Sequence, residues 1–431
     1  MTRLSFILII GLLLACDTER TISLPENDYF LKFYGTEGEQ TGVDFVLTAD
    51  NAIVMVGNSR REGTANQIIY VVKVDLNGNV IWENMIGLAD KNNTVKDIEL
   101  DTNGRLVIAG ETEIAVGNRD VFVKILDGNG GELDSTRYSL STNNKDEVVN
   151  SITVVEASSQ HQAGFIVSGY TNDVPGNLSD DTDGIHIRFT DDLEIPIATW
   201  EQKTGAGGDR NVLVKTIQIN GDLLYGFGYT NFQRLGNSFF KYWVFELNDG
   251  GIPEDNDPDL LDAMLLPQDT FLKSVTDVDI SDPFYKGFLL QGVSVDASGN
   301  SKSYTVKLKR DLGFTANDIY GEKTDFPLGS NLTDRSMASF YNPFNNDYLV
   351  LATRNLGSDL AEGIALYKLD RENQLEWGPQ VFGGESFDEA GAVLQLPDGK
   401  IMVLGTMTVG GLNGQKKMAL MKLNDKGKLL R

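Results

Sequence analysis

From Asp28 onwards the chain reads as short runs of alternating apolar and polar residues, broken by Gly, Asn and Asp. A period of two marks strands, and no stretch carries the 3.6-residue period of a long amphipathic helix. One motif recurs: an apolar strand ending in Gly, followed by a small polar residue. The series is Val54-Met-Val-Gly57, Val107-Ile-Ala-Gly110, Ile166-Val-Ser-Gly169, Tyr225-Gly-Phe-Gly228, Leu289-Leu-Gln-Gly292, Leu349-Val-Leu-Ala352 and Met402-Val-Leu-Gly405. Each is followed by a second apolar strand, usually with a Lys, such as Tyr70-Val-Val-Lys73, Val121-Phe-Val-Lys124 or Met418-Ala-Leu-Met-Lys422. A turn such as Asn77-Gly78 or Lys426-Gly427 comes next, and then a strand often carrying Trp or Tyr.

Each repeat thus holds four strands, one before the Gly-ended strand and two after it. Four short strands at a period of 50 to 60 residues predict propeller blades. Seven repeats predict an all-β, seven-bladed β-propeller over 28–431, and a pair of smaller β domains is the competing arrangement. The last repeat stops at Leu423 to Arg431, where its fourth strand should begin. Asp28-Tyr-Phe-Leu-Lys-Phe-Tyr-Gly35 reads as that missing strand. It is predicted to pair with Lys417 to Asn424, so that the ring closes without an open edge. The more apolar alternate set, Tyr29, Leu31 and Phe33, is expected to face the neighbouring blade.

The repeats resemble the bacterial SBBP-type β-propeller repeats, with their Asp-Gly turn, apolar strand, Gly-Ser/Thr and apolar strand with Lys. Pro397-Asp398-Gly399-Lys-Ile-Met-Val-Leu-Gly405-Thr406 carries the pattern best. Glu246 replaces the Lys in blade four, and Ala352 the Gly in blade six. The resemblance implies a fold, secretion and a binding role, and it transfers no catalytic residue.

The first 27 residues stand apart. Arg3 precedes an apolar run, Leu4 to Leu14, that is too short to span a bilayer. Leu13-Leu14-Ala15-Cys16 then resembles the lipobox of bacterial lipoproteins, which implies cleavage before Cys16 and lipidation of its thiol. The alternative is an ordinary secretory signal with an incidental Cys. The expected organisation is a signal peptide over 1–15, a lipidated tether over 16–27 and the propeller over 28–431. Cys16 is the only cysteine, so no intrachain disulfide forms. The expected location is the cell envelope, lipid-anchored, at the outer membrane on its periplasmic side or at the cell surface. The net charge of −25 argues against nucleic acid as a partner. The partners that remain are the membrane through the lipid, and another envelope protein or a glycan.

Loop lengths choose a face. The first-to-second and third-to-fourth links are tight, whereas the second-to-third links and those between blades are long, as over 58–67, 172–184 and 354–362. The long classes share one face, where binding is expected. Polar residues recur where the first strands leave that face: Thr41, Thr94, Asp146, Asp209, Asp334 and Asp388. Around an axis they would ring a channel mouth and suit a cation, a sugar hydroxyl or a basic side chain. Equally, Asp and Thr at such turns cap backbone amides. Phe232, beside Gln233 and Arg234 in a polar loop, suits stacking on a sugar or anchoring of a protein. The carboxylates at 255, 257 and 259 have a spacing that suits calcium, but the Gly and late Glu of an EF-hand loop are missing and Pro258 intrudes. The expectation is therefore no cofactor and no metal site, with calcium the one ion these acidic loops suit. His161 and His186 are the only histidines, and no nucleophile elbow, phosphate loop or dinucleotide motif is present. The function expected is a non-catalytic binding or scaffold subunit of a cell-envelope complex or nutrient-uptake system. The alternative is a carboxylate-dependent polysaccharide hydrolase or lyase.

Overall fold

The structure is a computed structural model. It describes residues 28–429 apart from 62, 65, 89, 141–144, 174–180, 195–200, 205–208, 232–239, 249–258, 261–268, 279–286, 297, 310–318, 326–333, 344, 357–360, 384–385 and 412–413. Among these residues the strands form seven antiparallel sheets and there is no helix. Each sheet is one blade, with its strands in sequence order from the axis outwards except in blade seven, whose outer strand is Phe30–Tyr34. Blade two runs Asn92–Leu100, Leu106–Ala115, Asn118–Leu126 and Glu132–Tyr138. Blades three to six begin at Glu147, Asn211, Asp269 and Asp334 and repeat that order. Blade one differs only in its inner strand, which is split into Glu39–Gln40 and Asp44–Leu47. The inner strands of neighbouring blades touch all the way round, including blade seven to blade one. One closed ring results, and the arrangement of two separate β domains is not found.

A blade has a neighbour on each face, so its middle strands read as continuous buried runs rather than as alternation. Ile53 to Val56, Leu106 to Ala109 and Leu349 to Ala352 are all sealed from solvent. The apolar clusters accordingly lie at the seams. Val107, Val123, Ile152 and Phe165 join blades two and three, and Phe227, Tyr242, Phe288 and Tyr304 join four and five. Burying side chains of this size stabilises the ring by roughly 1.5–3 kcal/mol each.

The Gly-ended strands have a packing reason. In blades two to seven the pairing of the inner strand slips at one place, as at Val95/Asp97, Val149/Ser151 and Leu213/Lys215. The split in blade one falls at the same place. The bulge pushes an inner-strand carbonyl towards the second strand at the anchor position. A Cβ added at Gly57 would sit 1.6 Å from the carbonyl of Thr41, and one at Gly110 would sit 2.0 Å from that of Thr94. Glycine admits so close an approach at Gly57 and Gly110, whereas blade six carries the same bulge with Ala352 at the anchor.

The recurring Lys of the third strands also has a task. Lys73 Nζ donates to the carbonyl of Gly128 at 3.3 Å, Lys422 Nζ to that of Leu76 at 2.8 Å, and Lys307 Nζ to that of Arg371. Each acceptor lies in the third-to-fourth turn of the next blade, so these lysines tie blade one to two, seven to one and five to six.

Ring closure follows the sequence expectation. Phe30–Tyr34 pairs antiparallel with Gln415–Leu423, in register from Phe30↔Lys422 to Tyr34↔Met418. The choice of packed face is corrected. Phe33 is 45% exposed, while Tyr34 is buried in the cluster shared with blade one and Phe30 packs beside it. The Tyr34 hydroxyl donates to the Gly78 carbonyl at 2.9 Å. Leu31 does pack, but against the seam with blade six. Apolarity alone misjudged the face because an outer strand has a neighbour on each side, and blade one offers the nearer turn, 75–78.

Candidate functional site

The seven inner strands enclose a central channel, a cavity of about 1640 Å³. Beside each slip, inner-strand residues line this cavity. Asp44 of blade one, Asp97 of blade two, Ser151 of blade three and Lys215 of blade four are such residues, and Glu99 joins them. Lys215 Nζ lies 3.1 Å from Glu99 Oε1. Both keep roughly a third of their side-chain exposure, but only to the lumen, with protein on all sides.

These carboxylates bridge blades. Asp44 Oδ1 accepts from the Phe45 amide at 2.8 Å, and its other oxygen faces the Ile98 amide of blade two at 3.5 Å. Asp97 accepts from the Ile98 amide at 2.9 Å and from the Ile152 amide of blade three at 2.9 Å. Ser151 Oγ continues the series, donating to the Val214 carbonyl of blade four at 2.8 Å. Burial pushes the carboxyl of Asp97 well above the usual range, and the nearby Asp44 charge adds to the shift. Burial likewise raises Asp44, with which Asp97 shares a hydrogen bond, and Glu99, on which Lys215 acts in the opposite sense. Burial pulls Lys215 down, but Glu99 and Asp97 more than offset it and keep it cationic. Asp44, Asp97, Glu99 and Lys215 therefore act on one another's titration as one coupled group.

Of the residues expected at the channel mouth, Thr41 lines the cavity, while the aspartates have partners of their own. Asp146 is gripped by Arg119, with Nε and Nη2 each 3.1 Å from one of its oxygens. Arg119 also reaches Glu111 at 3.2 Å, and Glu111 meets the lumen-facing Lys96 at 3.5 Å, so the chain of charges crosses the seam of blades two and three. Asp388 is buried and accepts from the Thr408 amide at 2.7 Å. Asp209 is buried too, its carboxyl raised by burial and by Asp181. Asp334 opens its inner strand opposite Arg354. Asp146, Asp209 and Asp388 belong to blades three, four and seven, and none of them lines the cavity. Phe232, Gln233, Arg234 and Cys16 lie outside the described residues, as do the positions 255 and 257. Among the described residues no three His, Cys, Asp or Glu side chains converge as metal ligands.

The sequence reading missed Asp44, Asp97, Glu99 and Lys215. A signal was present: Asp44 and Asp97 stand in the same position relative to the anchors Gly57 and Gly110.

On the loop-rich face four apolar side chains are 37–45% exposed: Leu356, Val381, Phe387 and Val409. They converge on the start of the third strand of blade six. A Cβ at Gly363 would lie 3.2 Å from Val381 and 3.3 Å from Leu356. Phe387 bridges to Glu362, and its carbonyl accepts from Thr408 Oγ1, next to Val409, at 2.9 Å.

No family model and no curated protein matches the chain. Solved structures do. The β-propeller domain of Cps50 (Swd1) from Myceliophteria thermophila is 12% identical, with a TM-score of 0.46 over 91% of this chain and 99% of that one. A protein of unknown function from Dyadobacter fermentans is 9% identical, with a TM-score of 0.47 over 91% and 97%. The α-L-arabinofuranosidase Arb93A from Fusarium graminearum, bound to an iminosugar inhibitor, is 11% identical, with a TM-score of 0.44 over 77% and 93%. Likeness at this level carries nothing about function, and the blade count rests on the strand pairing itself.

Proposed function

We propose that this protein is a non-catalytic binding or scaffold subunit of the cell envelope, anchored by lipid at Cys16, whose loop-rich face docks another envelope protein. The observation that carries this reading is the apolar group Leu356, Val381, Phe387 and Val409 at the rim of blades six and seven. Exposed apolar side chains gathered on a face of long loops, on a chain of net charge −25, suit a protein partner better than a polar small molecule. The channel carboxylates favour the same side. Glycosidases hold their two carboxyl groups about 5–9 Å apart around the scissile bond. Asp44 and Asp97 instead accept backbone amides, Asp97 from the next blade, and Glu99 is paired with Lys215, so these carboxylates are engaged in holding the seams.

The test is purification from detergent-solubilised membranes, comparing the parent with Phe387→Asp/Val409→Lys and with Cys16→Ser. The parent should stay in the membrane fraction and retain a stoichiometric protein partner. The double variant should stay in the membrane and lose that partner, and Cys16→Ser should move to the soluble envelope fraction without the mass of the lipid. A partner retained by the double variant removes the docking site, and a Cys16→Ser chain still membrane-bound removes the anchor.

A further inference from the structure

The path of the N-terminal strand sets the side from which a lipid anchor would hold the propeller. Phe30–Tyr34 runs antiparallel to Gln415–Leu423, which descends from the loop-rich face to the tight-turn face. The N-terminal strand therefore starts at the tight-turn face. Asp28 confirms this: its carboxylate lies 3.7 Å from Lys400 in the tight turn between the first and second strands of blade seven. Tyr29 lines a hollow with Lys426 and Lys428 of the third-to-fourth turn and with Trp377 of blade six.

Reach matters next. Cys16 to Asn27 is twelve residues. Fully extended, such a segment spans about 40 Å, and as a flexible coil about 20 Å. The nine-residue second and third strands of blade seven span about 30 Å. Turning the loop-rich face to the membrane would require the tether to climb the full height of blade seven at about three-quarters of its extended length, well beyond its coil length, at a cost in chain entropy. Leaving the tight-turn face against the membrane requires none of this. The surface at the exit also fits. Lys400, Lys426 and Lys428 balance Asp28, Asp398 and Asp425 there, whereas acids outnumber bases by 62 to 37 over the chain. Tyr29 and Trp377 are aromatics with a polar handle, the kind that settle at headgroup level.

We propose that the tight-turn face around blades six, seven and one rests against lipid headgroups, and that the loop-rich face is turned away from the membrane. This rests on the lipid anchor at Cys16. With Cys16 consumed by lipid, a single introduced cysteine labels cleanly. Asn77→Cys and Lys426→Cys probe the tight-turn face, and Arg61→Cys and Val116→Cys the loop-rich face. All four positions are exposed. The lipidated full-length variants, carrying an environment-sensitive fluorophore, are placed in phosphatidylcholine vesicles with a nitroxide on the headgroup. Quenching should be several-fold stronger at 77 and 426 than at 61 and 116, and detergent should abolish it. A chain that floats with the vesicles yet is quenched equally on both faces, or more at 61 and 116, overturns the orientation alone. A chain that carries no lipid and does not float overturns the anchor, and the orientation with it.

Discussion

Lys307 and Asp97 are both buried charges that recur from the repeat pattern, yet they titrate in ways that separate them. Lys307 sits with its ammonium 4.3 Å from the centre of the Tyr348 ring, and burial pushes its pKa down to about 7. A lysine depressed in the folded state contributes full stability only above its ordinary pKa. Stability is lost as pH falls towards about 7, because the unfolded chain takes up the proton first. Lys307→Met keeps the volume and removes the charge, but it also removes the donor to the Arg371 carbonyl. Its melting temperature relative to the parent's should be higher near pH 6 than near pH 10. Asp97 is the opposite case, a carboxyl raised by burial and then by Asp44. Its stabilising contribution is complete below the ordinary carboxylate pKa and is lost as pH rises towards the folded value. Asp97→Asn keeps one acceptor for the Ile152 amide, while its Nδ2 replaces the oxygen that accepts from the Ile98 amide. Its melting temperature relative to the parent's should be higher at about pH 8 than at about pH 4. The reverse trend would refute the raised carboxyl of Asp97.

At the level of elements, the closure strand is the one with most to lose. Tyr34 is buried at the seam with blade one, and Lys417 Nζ holds the following segment through the Gly38 carbonyl at 2.8 Å and Gln40 Oε1 at 2.9 Å. Deleting residues 28–35 uncovers the edge of Gln415–Leu423 and should cost several kcal/mol, since each large side chain buried is worth roughly 1.5–3 kcal/mol. Denaturant unfolding should show that loss, and light scattering should show aggregation through the open edge. The existence of this strand was legible because the last repeat is one strand short. Its packed face was not, because two faces with neighbours erase the inside-outside alternation on which such a choice depends. The Gly anchors were legible as a period, but their cause was hidden. It lies in a bulge on a different strand, whose carbonyl crowds Gly57 and Gly110.

For the whole molecule, the blade count could be read from the chain because every repeat carries the same marks. The channel cluster could not. Asp44, Asp97 and Lys215 come from three blades and meet only because the ring brings the inner strands together. The aspartates expected around the channel mouth have local partners: Arg119 holds Asp146, and Asp388 accepts the Thr408 amide, the amide-capping role the sequence also allowed. The closure also has a mechanical side. If the chain hangs from Cys16, any pull between membrane and docked partner enters through Asp28 and runs along Phe30–Tyr34. The five residue pairs of that strand then share the load together, in shear, rather than opening one after another. The strand that completes the ring would also be its tow-line, and any such pull would load blade seven before every other blade.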